Sequence, residues 1–268
     1  MARRGDQPAD EPAGESAAGV KSARRAVQLL ETFAAEDAWM PLAELHTRTG
    51  FPRSSLHGLL RTLLDTGWIE ADASGTRFRL GVRALICGTA YLDRDLAIRH
   101  ATEALEKLRD ATGYTAHYAR RNLDQIVYLE TRESRHSQHL VSRVGRTLPA
   151  HATALGKALL AELTEGEVAE LLPENLPALT ERTITHRDKL LAELADCREI
   201  GYATEHEEGT LDVACVAVPI GYRIPATDAM SCSMPAWQAT TTEIARVGAL
   251  LRDAADELGA RLRRAGIR

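Results

Sequence analysis

Hydroxyls, an imidazole and guanidinium groups gather between Arg53 and Arg79 in a pattern suited to reading nucleic acid. Ser54, Ser55, His57, Gly58 and Arg61 fall on or beside the polar side of a helical stretch, with Arg53 at its start. Hydroxyls and imidazole bond base edges or phosphates, and a guanidinium reads guanine through paired hydrogen bonds or holds a phosphate. Arg77 and Arg79 alternate with Phe78 and Leu80, so both arginines share one strand face. Phosphate or minor-groove contact would use that face; a plain solvated hairpin is the alternative. Gly58 is the odd member, because glycine inside a helix costs about 1 kcal/mol relative to alanine. Either it lets the backbone approach DNA closely or the helix is locally weak there.

The elements that must position these residues follow in order. Pro41–Thr49 predicts a short helix with Leu42, Ala43, Leu45 and His46 on one side, and Gly50-Phe51 turns the chain. Pro52 suits a first helical position, and the amides of that turn could hold a phosphate. Leu56, Leu59, Leu60, Leu63 and Leu64 then form the stripe of a half-buried helix. Trp68-Ile69-Glu70, the Ala73-Ser74-Gly75 turn and Arg77–Leu80 predict a small hairpin. Two helices, a tight glycine turn and a hairpin make the winged helix-turn-helix pattern, whose partner is double-stranded DNA. Upstream, Ser22 is placed to cap a helix with apolar positions Ala23, Ala26, Val27, Leu30 and Phe33. Ser22 and Arg25 complete the DNA-facing set.

Further along, three clusters invite chemistry. His151 to Ala158 resembles a phosphate loop only superficially, since His151 and Ala158 stand where that motif needs glycine and a hydroxyl. What remains is a loop entering a helix, whose first amides suit a carboxylate. Glu205-His206-Glu207-Glu208 lacks a second histidine at metal-ligand spacing, which favours a structural or capping role. Ser231 and Ser233 share one strand face and present two hydroxyls to a small polar ligand. No G-x-S-x-G supports a serine hydrolase.

With 268 residues the chain has room for two domains, and 33 basic against 38 acidic residues argue against bulk, non-specific DNA coating. Between Gly19 and Leu80 the balance is eight Lys/Arg against seven Asp/Glu, so any basic surface is local. Cys87, Cys197, Cys215 and Cys232 are scattered without metal-ligand spacing and read as free thiols of a reducing cytoplasm. No apolar run is long enough for a membrane span. A soluble cytoplasmic protein without cofactor or metal is expected.

Residues 1–18 predict a disordered tail, 19–81 the winged helix-turn-helix domain and 82–97 a linker. The apolar helical run from Val82 to Asp95 would suit pairing between subunits or an ordinary intradomain helix. Residues 98–268 predict an α+β domain on a largely antiparallel sheet. Its strands are expected at Thr115–Ala119, Ile126–Glu130, His139–Val144, Tyr202–His206, Ala214–Ile220 and Ala229–Ser233. One helix through Ala101, Leu105 and Leu108 should stop at Gly113. Others are expected over Ala152–Glu162, Glu165–Leu172 behind a Thr164/Glu167 capping box, Arg187–Ile200 and Thr240–Arg264.

Taken together, the chain resembles the IclR family of bacterial transcription regulators from about Gly19 onward. Leu42–Leu45 through Gly50–Ser55 to Leu63 carries the resemblance first. Leu148–Ala152 with Leu155–Ala161, Arg198 with Gly201–Ala203 and Glu207-Glu208, and Cys215–Ile220 carry the rest. The resemblance implies a winged helix domain, a connecting helix and a GAF/PAS-like effector-binding domain. It implies homodimers or tetramers on an operator, answering to a small organic, aromatic or sugar acid. The implied effector pocket falls at Ala154 and Leu155 (amides), Glu205, Cys215, Ser231 and Ser233. The chain departs from the family at Gly58 (usually Arg), at Asp212 (usually Gly), at Trp237-Gln238 (often Arg) and at Glu205 (often Asp). The resulting expectation is a ligand-responsive regulator, more a repressor than an activator, controlling genes of small-molecule metabolism. A DNA-binding protein without effector is one rival. An enzyme whose winged module docks to protein is the other.

Overall fold

The computed structural model describes residues 20–36, 38–135 and 144–267; the expected tail and all of the expected strand His139–Val144 except Val144 lie outside them. Val144 itself stands in a turn. The chain divides into two compact units between Tyr91 and Leu92. None of the described helices is long and apolar enough to cross a membrane.

In the first unit α1 (Lys21–Ala34), α2 (Leu42–Thr49) and α3 (Arg53–Asp65) enclose Leu29, Phe33, Leu45, Leu56, Leu60 and Leu63. β1 (Met40–Pro41), β2 (Ile69–Ala71) and β3 (Arg77–Leu80) close the core as an antiparallel sheet in the order β1-β3-β2. Gly50 ends α2 in the left-handed region (φ 67°), where glycine avoids the Cβ clash. Gly81 serves a different need: a Cβ there would stand 2.6 Å from the Gly67 carbonyl oxygen.

Four local expectations change. The Val20 carbonyl already accepts from the Arg24 amide at 3.1 Å, so α1 starts ahead of Ser22, which lies in its first turn and caps nothing. Leu29 and Phe33, one turn apart, set the buried face of α1, leaving Ala23 and Val27 in solvent. Pro52 takes the N-cap position of α3 rather than its first helical position, and Ala43 of α2 is exposed. α4 (Val82–Arg94) spans the division between units and exposes Val82, Leu85, Ile86 and Tyr91.

The second unit is built on a six-stranded antiparallel sheet in the order β6-β5-β4-β9-β8-β7. Its strands are β4 (Thr115–Asn122), β5 (Gln125–Arg132), β6 (Thr147–Pro149), β7 (Ala203–His206), β8 (Val213–Pro219) and β9 (Asp228–Pro235). α5 (Leu96–Thr112) and α9 (Thr241–Arg264) cover one face, packing on Tyr118, Val216, Val218, Met230 and Met234. The other face carries α6 (Ala154–Leu160), α7 (Glu165–Leu171) and α8 (Arg187–Ile200). Alternation along the strands sorts large side chains to the first face and Ala119, Ala203, Ala217 and Ala229 to the second. The second face leaves room for a cavity.

The capping box of α7 forms as expected, with Thr164 and Glu167 exchanging hydrogen bonds. The helix expected over Ala152–Glu162 is instead a 3-10 turn, Ala150–Ala152, followed by α6. Thr153 breaks the two apart by turning extended and accepting the Gly156 amide at 3.0 Å. A Cβ on Gly156 would lie 2.1 Å from the Ala150 carbonyl oxygen, so only glycine permits this corner.

A polar clasp holds the middle of the sheet. Arg120 on β4 grips Asp228 on β9 through Nε and Nη2, both at 2.7 Å, and reaches Asp95 with Nη1 at 2.6 Å. Asp95 caps α5 with its other oxygen, accepting the Ala97 amide at 2.9 Å. Burial works to raise the Asp228 carboxyl, but Arg120 and the hydroxyls of Tyr118 and Tyr222 overcome it and hold it below the usual carboxylate range.

Candidate DNA-reading face and ligand cavity

α3 presents Arg53, Ser54, His57, Gly58 and Arg61 to solvent, while Leu56, Leu60 and Leu63 face the core. Between this helix and the β2–β3 hairpin runs an open groove of about 400 Å³. His57, Arg61 and Asp65 line one side, and Gly75 and Thr76 at the hairpin turn line the other. Helix and wing therefore border one channel.

Three members of the expected DNA-facing set have partners within the fold. Arg25 donates from Nη1 to Ser55 Oγ at 2.9 Å and lies over the Phe51 ring at 5.1 Å, which ties α1 to the start of α3. Ser55 is half-buried by this arrangement, so neither residue stands free. Arg79 pairs with Glu70, its cross-strand neighbour, and stacks over Trp39 at 4.2 Å. Arg77, on the same strand face, stays exposed. The two wing arginines, alike in sequence, differ in that the Arg79 guanidinium is engaged by Glu70 and Trp39, while Asp72 meets Arg77 at its backbone amide, at 3.2 Å.

The second unit gathers all six residues of the implied effector pocket around one cavity of about 340 Å³. Ala154 and Leu155 contribute from the first turn of α6, whose amides have no intrahelical acceptor. Glu205, Cys215, Ser231 and Ser233 rise from β7, β8 and β9, whose register sets Cys215 opposite both Glu205 and Ser233. His117, Tyr128 and Arg146 also line the space. No motif marks them in the sequence. Only the pairing of β4 with β9, which sets His117 opposite Ser231, brings the histidine to this face.

The two serines differ in their bonding. Ser233 Oγ lies 3.1 Å from His117 Nε2 and 3.1 Å from Cys215 Sγ, while His117 Nδ1 meets Thr131 Oγ1 at 3.1 Å. Burial lowers the His117 pKa to about 4, so the imidazole is neutral, with one nitrogen accepting and one donating. Ser231 Oγ is buried and has no hydrogen-bond partner. An unmet buried hydroxyl is costly, so an oxygen or nitrogen brought by a ligand would be held there.

Burial pushes the Glu205 carboxyl up to about 7, against the opposing hydrogen bond from the Glu208 amide at 2.9 Å. Behind it, fully buried Lys157 bridges Glu193 at 2.5 Å and Glu208 at 2.7 Å. Burial alone would lower the Lys157 pKa; the two carboxylates more than offset it and keep the ammonium charged. The Glu205–Glu208 stretch is thus structural at Glu208 and cavity-lining at Glu205. Among the described residues, no group of three or more His, Cys, Asp or Glu is placed to hold a metal ion.

Comparison with known proteins matches both halves. Residues 22–73 fit the IclR helix-turn-helix domain, and residues 89–260 fit the bacterial transcriptional regulator IclR C-terminal domain. The chain belongs to the IclR family of bacterial transcriptional regulators. It is 34% identical over 203 residues to the HTH-type transcriptional regulator XynR of Escherichia coli (strain K12), covering 75% of this chain and 80% of that protein. To the transcriptional repressor IclR of the same strain it is 30% identical over 264 residues, 96% of this chain and 95% of the relative. An IclR transcriptional regulator from Alicyclobacillus acidocaldarius superimposes with a TM-score of 0.78 at 25% identity, over 90% of this chain and 98% of that one. α3 and the residues lining the cavity lie within the IclR-family matches.

Proposed function

We propose that this IclR-family chain is a cytoplasmic repressor of small-molecule metabolism genes. It would hold a double-stranded operator through Arg53, Ser54, His57 and Arg61 and sense a small organic, aromatic or sugar acid in the cavity. The unpartnered Ser231 hydroxyl in a cavity of about 340 Å³ carries this reading, because it is a buried polar group whose partner must come from outside the fold. The α6 amides and Arg146 supply donors for a carboxylate. The repressor assignment draws on the name of the Escherichia coli relative. The exposed apolar residues of α4 favour a homodimer, singly or as a pair of dimers. Ligand would act by favouring one arrangement of the protein over another, and hence changing operator affinity.

We read the cavity as a binding site without turnover. Ser233 is hydrogen-bonded to a histidine, but that histidine is oriented by Thr131 rather than by a carboxylate. Two experiments test the proposal. A thermal-shift screen over organic, aromatic and sugar acids should yield a stabilising ligand, and the Ser231→Ala/Ser233→Ala double variant should lose that response while still binding DNA. Arg61→Ala should weaken specific DNA binding by roughly 10–100-fold in a gel shift. If no acid stabilises the wild type, the sensor half of the proposal falls. Unchanged binding by Arg61→Ala would sink the assignment of α3.

A further inference from the structure

Gly58 lies on the solvent face of α3, four residues after Ser54 and three before Arg61, which makes all three neighbours on one surface. Glycine weakens a helix interior relative to alanine, and a fold tolerates it where the backbone needs positive φ or where another atom comes close. Neither condition holds here. The residue is helical, and a Cβ built on it meets nothing within 4 Å, in contrast to Gly81 and Gly156, where backbone atoms crowd the same position. The Thr62 hydroxyl donates to the Gly58 carbonyl at 3.1 Å, a bond back along the helix that does not offset the glycine. Gly88 on α4 is equally clear of neighbours, so what singles out Gly58 is its place between Ser54 and Arg61 on the candidate reading face.

We propose that Gly58 is a notch in the reading face that receives the C5-methyl group of a thymine in the major groove. The methyl is the one apolar projection on that groove's floor. A notch one Cβ deep seats it against bare backbone and brings Ser54, His57 and Arg61 closer to the flanking base pairs. Specificity at that pair then comes from absent atoms. The inference rests on α3 being the DNA-reading helix.

The test uses the full chain and a duplex carrying the consensus selected by the wild type from random DNA. Gly58→Ala should raise Tm by a few degrees, as expected for glycine to alanine in an unobstructed helix. The same variant should lose affinity for the consensus by roughly tenfold, the scale of one mismatched base pair. Replacing the facing thymine by uracil, which removes only the methyl, should weaken the wild type and relieve most of the alanine defect. Gly58→Ala binding the consensus as tightly as wild type would overturn the notch. So would equal sensitivity of wild type and variant to uracil at every position. Failure of the wild type to enrich any sequence would overturn the DNA reading itself, a separate result.

Discussion

On α3 the proposed recognition groups, Arg53, Ser54, His57 and Arg61, stand exposed along one helix. The cavity draws its groups from β4, β5, β7, β8, β9 and α6; His117, Glu205, Ser231 and Ser233 are buried, and Ser233 is bonded to both His117 and Cys215. A residue of the first kind can change what is recognised without disturbing folding. A residue of the second kind belongs to the core as well as to the site, so recognition and stability shift together. Divergence in operator sequence should therefore come more easily than divergence in ligand.

The comparison breaks most sharply at Lys157. Lys157→Met leaves Glu208 buried without its cation, and chemical denaturation should show a loss of about 3–5 kcal/mol. Arg61→Ala, removing an exposed group, should stay within about 0.5 kcal/mol of wild type in the same measurement. Equal losses would mean that the two regions are not energetically distinct.

The paired serines sharpen the contrast inside the cavity. Ser233→Ala strands His117 Nε2 and should destabilise by about 1–2 kcal/mol, whereas Ser231→Ala removes an unmet hydroxyl and should be neutral or stabilising by about 1 kcal/mol. Calorimetry in which Ser231→Ala lost more than Ser233→Ala would show that the hydroxyl roles are reversed.

The smallest expected effect concerns pH. The Glu205 pKa lies near 7 in the fold, above its ordinary value of 4.5. The folded state therefore holds the proton more tightly, and stability is lost as pH rises from the ordinary carboxylate range through 7. Glu205→Gln should flatten that decline, gaining on the order of 1 kcal/mol over wild type at pH 8 and little at pH 5. Parallel Tm profiles for the two proteins would rule it out.

How legible each region is follows from the same difference. The helices and wing of the first unit repeat local spacings, so α2, α3 and the hairpin can be read from leucine periodicity and a glycine turn. The misplaced start of α1 turned on a single backbone hydrogen bond at Val20. For the cavity, the serine pair is visible from strand alternation and the amide donors from the loop that enters a helix after His151, while Glu205 and Cys215 come only through family resemblance. His117 and Tyr128 stay hidden because strand register, a long-range property, decides their face. Lys157 reads as part of a failed phosphate loop, and its true partners lie 36 and 51 positions away. Arg25, Ser55 and Arg79 have the right chemistry for DNA, but each meets a side chain from another element first.

Asp95 has one further consequence. One of its oxygens caps α5 and the other holds Arg120, whose opposite edge is fixed to the strand bearing Ser231 and Ser233. The start of α5 is thereby bolted to the middle of the sensor sheet, and the exchangeable boundary of the sensor lies ahead of Asp95. A chimera that grafts a foreign reading unit onto this sensor keeps the bolt if the splice falls before that residue, and inherits a loosened sheet if it falls after.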